Sequence, residues 1–268
     1  MKTQIASPLN YAFAVGKIRA LEKFLIKQEV FEEAIASNLS DALRLFVESD
    51  LYSDELLHTR DSQHLEMILD QELIKLKNLI RNLLLDKELV CLMESDNLNQ
   101  MQEICKKFPS LFLQDYLMHL TDMHNIKTYL RLYILKEPPE LLKERLIEGG
   151  FIKKEVFLEL YHQDLSFFLN RMEYVHKRDE VIDYASNLAE GVEKLQKEMS
   201  FVFLEKLMND FLMQVLKSAK YITFGPEPLL AYYFAKRNEI NLMRMIILAK
   251  LNNVSSDLVK QRLNYVYA

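Results

Sequence analysis

His119 and His124 flank Asp122 and come nearest, in this chain, to a metal-binding constellation. Two ligands on one helix face need a spacing of three or four residues. These imidazoles are five apart, so they are expected to be exposed or capping histidines, with no metal. Carboxylate pairs such as Glu32–Glu33 and Asp50–Asp54 are expected on solvated helix faces rather than as acid/base dyads. Cys91 and Cys105 have neither CxxC spacing nor a histidine at ligand spacing, and read as reduced, buried, small hydrophobes of a cytosolic protein. A nucleotide site would need a glycine-rich loop such as GxxxxGK[ST], whose backbone amides cradle phosphate. The chain has five glycines, none in that pattern, and neither a GxSxG elbow nor an HExxH pair. No catalytic residue, cofactor or small-molecule substrate is expected.

The composition specifies helices. Half of the 268 residues are hydrophobic, ample for one large domain or two to three small ones. Glycine and proline are scarce, which disfavours strand-rich folds with their many turns. A net charge of −5 provides no basic field for phosphates, so nucleic acid is not an expected partner. The opening residues lack the apolar core of a signal peptide. Apolar stretches such as 245–249 are soon interrupted by Arg or Lys, far short of the roughly 20 residues of a membrane span. Residues 63–85 place apolar side chains at three- and four-residue intervals, and 178–221 read as one or two long helices weakened only at Gly191. Ser40, Asp164 and Ser255 offer N-caps. Pro109, Pro138–Pro139 and Pro226 suit first turns. Gly149–Gly150 reads as a stop and a domain boundary. No segment alternates polar and apolar over a strand's length, so the fold is expected to be all-α. Helical units at 1–108, 109–177 and 178–268 are expected to share one compact body.

An internal repeat organises the second half. Residues 109–146 align without a gap on 226–263, an offset of 117 that carries Arg145 onto Arg262. Pro109 meets Pro226, Leu113 meets Leu230, Tyr116 meets Tyr233, Asp122 meets Glu239 and Lys127 meets Arg244. Each copy reads as a long helix entered through proline, a short loop and a short helix ending in Arg-Leu. A weak third echo lies at Lys17-Ile-Arg19 and Phe31-Glu-Glu-Ala. One such hairpin cannot bury its apolar face alone, whereas two or three together can. A pseudo-symmetric cluster with a concave, protein-binding surface is expected.

The tail from Gly225-Pro-Glu-Pro through Asn238-Glu-Ile, Arg244 and Ala249-Lys-Leu-Asn resembles the C-terminal signature of the C subunit of archaeal and bacterial V/A-type ATPases, the counterpart of the eukaryotic d subunit. Asp122-x-x-Asn125-Ile-Lys127-x-x-Leu130-Arg131 and Leu146-Ile-Glu-Gly-Gly150 resemble its middle segment, and Tyr11-Ala-Phe-Ala-Val-Gly-Lys-Ile-Arg19-Ala-Leu-Glu22 its opening. The chain is shorter than typical members, as if trimmed over about 50–110. The resemblance implies a funnel of helical hairpins with a central cavity, peripheral on the cytoplasmic face of the membrane. It would join the central-axle subunits to the membrane rotor ring, touch the membrane only through that ring, and catalyse nothing. On this reading Lys127, Arg131, Arg244, Lys250 and Arg262 form a basic rim facing acidic groups of the axle or polar loops of the ring. The other reading makes them structural, holding helix ends and neighbouring helices. Asn125 and Asn238 are expected to bond a neighbouring backbone. The competing identity is a helical-repeat adaptor unrelated to rotary ATPases.

Overall fold

The computed structural model describes residues 5–48 and 52–268; Asp50, half of the Asp50–Asp54 pair, lies outside them. Helices follow one another as α1 (Ala12–Glu22), α2 (Gln28–Ala36), α3 (Leu39–Val47), α4 (Ser62–Leu83), α5 (Lys87–Glu94), α6 (Leu98–Cys105), α7 (Leu111–Leu135), α8 (Pro139–Arg145), α9 (Lys154–Leu160), α10 (Leu165–Met172), α11 (Ala185–Glu198), α12 (Val202–Lys217), α13 (Glu227–Leu251) and α14 (Ser256–Lys260). The fold is all-α, as the periodicity implies. One hairpin departs from the expectation of no strands: β1 (Val175–Lys177) pairs antiparallel with β2 (Glu180–Ile182). Strands of three residues are too short for alternation to register.

The chain forms two compact units, one of Met1–Met93 with Met213–Ala268, the other Glu94–Leu212. Gly149–Gly150 lies inside the second.

The first unit is built on α13. Fifteen of its 25 residues are buried, so it is core on nearly every side. The inner face of α4 packs along it through Leu65, Ile68, Leu69, Leu76, Ile80 and Leu83, the three- and four-residue spacing of one helix face. α1, α2 and α3 also lean on α13. Arg19, in the weak third echo, donates to the carbonyls of Ala219, Lys220 and Ile222 at 2.8–3.1 Å and so closes the 3-10 turn Ser218–Tyr221.

The second unit is built on α7, equally long at 25 residues. Tyr129 stacks on Phe168 at 4.3 Å and meets Tyr161 edge-on, joining α7 to α10 and the end of α9. The β hairpin is tied to the start of α7 by Lys177 and Arg178, which pair with Asp115 at 3.2 and 2.7 Å.

The repeat is visible in the backbone itself. Glu137 N–H reaches back to Leu132 O at the end of α7, and Val254 N–H reaches back to Ala249 O at the end of α13, both pairs being 117 residues apart. Lys136 and Asn253, also equivalent, both turn left-handed, at φ 54° and 53°. This is the 6→1 closure of a Schellman end. Pro138 and Ser255, at the same offset, then both sit at the N-cap of the short helix.

Other local expectations are corrected. α3 is capped by Asn38, whose side chain accepts from Asp41 N–H, with Ser40 already helical. Asp164 and Ser255 do occupy the N-cap positions expected of them, although neither makes a side-chain cap bond. Residues 185–217 break at Met199, left-handed at φ 53°, and not at Gly191. Gly191 is a packing position: a β-carbon there would lie 3.0 Å from Leu204 Cα. At Gly150 a β-carbon would overlap Asp122 Oδ1, where a carboxylate meets the passing backbone.

Gly150→Ala is therefore expected to destabilise the protein by about 2 kcal/mol or more, as overpacking of a fixed site does. Gly16→Ala, in α1 with nothing within 4 Å of the new methyl, is expected to stabilise it by about 0.5–1 kcal/mol. Urea denaturation of the two variants reads both signs.

Candidate functional site

The five predicted basic residues occupy different surroundings. Lys127 on α7 pairs with Glu205 of α12 at 3.4 Å, with side chains 37% and 44% exposed. Arg131, one turn on, lies over the Phe201 ring at 5.3 Å. In the other copy Arg244 on α13 reaches α4, donating to Glu66 at 2.8 Å and to Asp70 at 3.4 Å, while Asn241 accepts at 2.8 Å. Lys250 donates to the carbonyls of Ile35 (3.1 Å) and Ser37, at the C-terminal end of α2, where a cation suits the helix dipole. Arg262, beyond α14, is exposed. The structure thus brings Lys127 with Arg131 onto one helix face, and ties the equivalent Lys127 and Arg244 each to a neighbouring helix. Exposed pairs of this kind are each worth only about 0.2–1 kcal/mol.

Asn125 bonds a backbone as expected: its amide donates to Ile147 O at 2.7 Å and its oxygen accepts Ile147 N–H at 2.9 Å. Asn238 instead accepts from the Asn264 side chain at 3.2 Å.

The most built-up polar cluster of the second unit centres on Asp122, fully buried in the middle of α7. Its carboxylate accepts Phe151 N–H and Ile152 N–H, each at 3.1 Å, and the Tyr184 hydroxyl at 2.9 Å. His119, one turn earlier, is 4% exposed, which corrects its expected exposed or capping role. Its Nδ1 lies 2.7 Å from the Tyr184 oxygen, and its ring is walled by Phe151 and Phe211. Burial pushes the Asp122 carboxyl up from 3.8 to about 7, against the pull of its three donors. Burial first, then the Lys177 charge, brings His119 down from 6.5 to about 4. Desolvation also raises the Tyr184 phenol, with the Asp122 charge adding to it.

The other copy repeats this arrangement. Glu239, at the Asp122 position of α13 and 3% exposed, accepts Ile26 N–H at 2.7 Å and the Tyr52 hydroxyl at 2.7 Å. The residue one turn earlier, matching His119 at the same offset, is Lys236, 6% exposed. Its ammonium donates to Glu239 and sits 4.0 Å above the Tyr52 ring. Burial lowers the Lys236 proton affinity, while the Glu239 and Glu72 charges hold it up. Each long helix therefore carries base-x-x-acid at its centre, closed by a tyrosine and a loop amide from elsewhere in the chain. Aligning His119 with Lys236 was open to the sequence; Tyr52 and Tyr184 carried no local signal.

Among the described residues no three His, Cys, Asp or Glu are grouped to hold a metal ion, and no helix is long and apolar enough to cross a membrane. What the fold defines is an all-helical protein of duplicated hairpins, each centred on a buried, fully partnered carboxylate. The ATP synthase (C/AC39) subunit family matches residues 91–262, a stretch that takes in the first copy and all but the last residue of the second, and the chain belongs to that family. It is 26% identical over 155 residues to the C subunit of the V-type sodium ATPase of Enterococcus hirae. That match covers 58% of this chain and 44% of the relative, so the chain spans under half the length of the curated relative it matches. No solved structure matches. The adaptor unrelated to rotary ATPases is set aside by the family membership.

His119 and Asp122 oppose one another in pH. Because its folded value is raised, Asp122 stabilises the fold fully below about 4 and loses that contribution as pH rises through about 7. His119, with its folded value depressed, stabilises above 6.5 and loses its contribution as pH falls towards about 4. In between, folded and unfolded chains each hold one proton on the pair, and the two slopes cancel. His119→Gln should then gain stability relative to wild type by about 1.4 kcal/mol per unit of falling pH between about 6.5 and 5, and Asp122→Asn should lose as much. Urea titrations at several pH values check this; variants sharing the wild-type slope would refute it.

Proposed function

We propose that this chain is the non-catalytic central-rotor socket of a V/A-type rotary ATPase, joining the central-axle subunits to the membrane rotor ring during ion transport. The observation that carries this reading is the family match across residues 91–262, which spans the duplicated hairpins. The socket's work is mechanical: it binds axle and ring tightly enough that all three turn together. It acts at the cytoplasmic face of the membrane, peripheral to it, with contact through the ring.

The basic positions supply charge for the axle or the ring loops. Arg262 is exposed and Lys127 is held by one long surface pair, so their charge is free for a partner with little loss to the fold. Arg131 shares the Lys127 face. Arg244 and Lys250, engaged with α4 and the end of α2, contribute to the field while holding helices together.

Tagged protein pulled from detergent-solubilised membranes of its source organism is expected to bring down rotor-ring and axle subunits, identified by mass spectrometry. Recovery of unrelated soluble proteins alone would sink the socket reading. Within a recovered complex, Lys127→Glu and Arg262→Glu are expected to weaken axle binding several-fold while leaving the melting temperature within about 2 °C, since exposed charges contribute little to stability. Arg244→Glu, which faces two carboxylates with a third, is expected to lower the melting temperature as well. Variants at Lys127 and Arg262 that merely unfold would make these residues structural and end the basic-rim idea.

A further inference from the structure

The two buried clusters share a geometry and differ in one residue. In the first unit the carboxylate has a cation of its own: Lys236 donates directly to Glu239. In the second the equivalent base is His119, and it does not touch Asp122; the Tyr184 hydroxyl stands between them, 2.7 Å from Nδ1 and 2.9 Å from the carboxylate. A phenol has one proton to donate, so this chain of hydrogen bonds has a direction. With Asp122 ionised, Tyr184 donates to Asp122 and His119 donates to Tyr184 through a protonated Nδ1. With Asp122 carrying a proton, that proton points at the tyrosine oxygen. Tyr184 then turns to donate to Nδ1, and the neutral imidazole holds its proton on Nε2. One proton taken from solvent thus reverses two hydrogen bonds and shifts the histidine from one tautomer to the other, without charging it.

The same carboxylate holds the amides of Phe151 and Ile152, and it holds them as an anion; hydrogen bonds to an ionised acceptor are roughly twice as strong as neutral ones. Charged side chains on the surrounding elements form ion pairs among themselves. Asp115 is met by Lys177 and Arg178, Lys206 by Asp210 on α12, Glu148 by Lys154 on the loop side, and Glu103 by Lys106 on α6. Lys177 and Asp115 act on His119 with opposite sign. Burial and the three donors set the Asp122 carboxyl, and the shift to about 7 puts its titration in the neutral range.

We propose that His119, Tyr184 and Asp122 form a proton-operated latch on the segment Gly150–Ile152: when Asp122 takes up a proton while still buried, its bonds to the Phe151 and Ile152 amides weaken, whereas the carboxylate that holds Ile26 has the Lys236 ammonium as its own donor. The latch and its lysine-paired counterpart occupy the same register of one repeat, so the chain carries its own comparison.

The test is nuclear magnetic resonance on the uniformly ¹⁵N-labelled full chain between pH 5.5 and 8.5, reading the His119 ring nitrogens and the exchange of backbone amides. His119 is expected to stay neutral and to pass from the Nδ1–H to the Nε2–H tautomer as pH falls, with a midpoint near 7. Over the same midpoint the Phe151 and Ile152 amides are expected to lose about tenfold in protection, the order of one hydrogen bond, while the Ile26 amide shows no midpoint. Asp122→Asn places an amide donor where the proton would be, and should hold His119 as Nε2–H at every pH. A single His119 tautomer across the range in the wild-type protein would overturn the latch. So would constant protection at Phe151 and Ile152, or an Ile26 amide that titrates with them.

Discussion

An ionisable carboxyl in the middle of a long buried helix has no water to turn to, and removing it from solvent costs several kcal/mol unless donors converge on it. Asp122 and Glu239 impose that constraint on the two units. A helix interior has no free backbone N–H to offer, since each is already bonded to a carbonyl one turn back. The donors must therefore come from other segments. Phe151 and Ile152 bring amides from the loop after α8, Ile26 brings one from the loop after α1, and Tyr184 and Tyr52 bring hydroxyls. Each carboxylate thereby decides where a loop must pass and how closely. The clearance at Gly150 follows from this, because Asp122 Oδ1 fills the space where a side chain would begin.

A shared geometry does not enforce a shared charge. Lysine at position 236 can neutralise its glutamate across one helical turn, because its long chain reaches three residues on. Histidine at 119 is too short and too weakly basic once desolvated, and a tyrosine is interposed. One cluster is a buried ion pair and the other is a relay of polar groups. The surface shows the same pattern of equivalent positions with different partners: Lys127 and Arg244 both cross to a neighbouring helix, one to Glu205, the other to Glu66 and Asp70. What the duplication preserves is the need at each position for a partner, and local sequence has supplied different ones.

The helices and the repeat were legible because their causes are local. Three- and four-residue apolar spacing marks α4, and the gapless offset of 117 predicts equivalent helix ends, which the backbone shows at Lys136 and Asn253. The buried cluster was half legible: Asp122 and Glu239 align by sequence, yet nothing local says that both are dry. Their tyrosines lie 62 and 187 residues away, in segments outside the repeat, and only folding brings them together. The misplaced details fall where two signals compete. Asn38 and Ser40 are both capping residues two positions apart, and the chain entered its helix at the earlier one. Gly191 looked like a break because glycine usually weakens a helix, but its missing side chain is used for contact with Leu204. The turn came at Met199, where an ordinary side chain accepts a left-handed backbone.

On the socket reading, a protein that carries torque has to resist local opening, and loops open before helices do because few buried contacts hold them. In each unit one loop is tied to the centre of the longest helix by hydrogen bonds to a carboxylate, and in the second Asn125 adds a two-bond clamp on Ile147. Polar networks of this kind add little net stability compared with apolar packing, but fully partnered they specify one arrangement and stiffen it. A protein selected to transmit motion has reason to retain them, because a loop that slid by an ångström under load would dissipate work that a better-packed but less specific core could not recover.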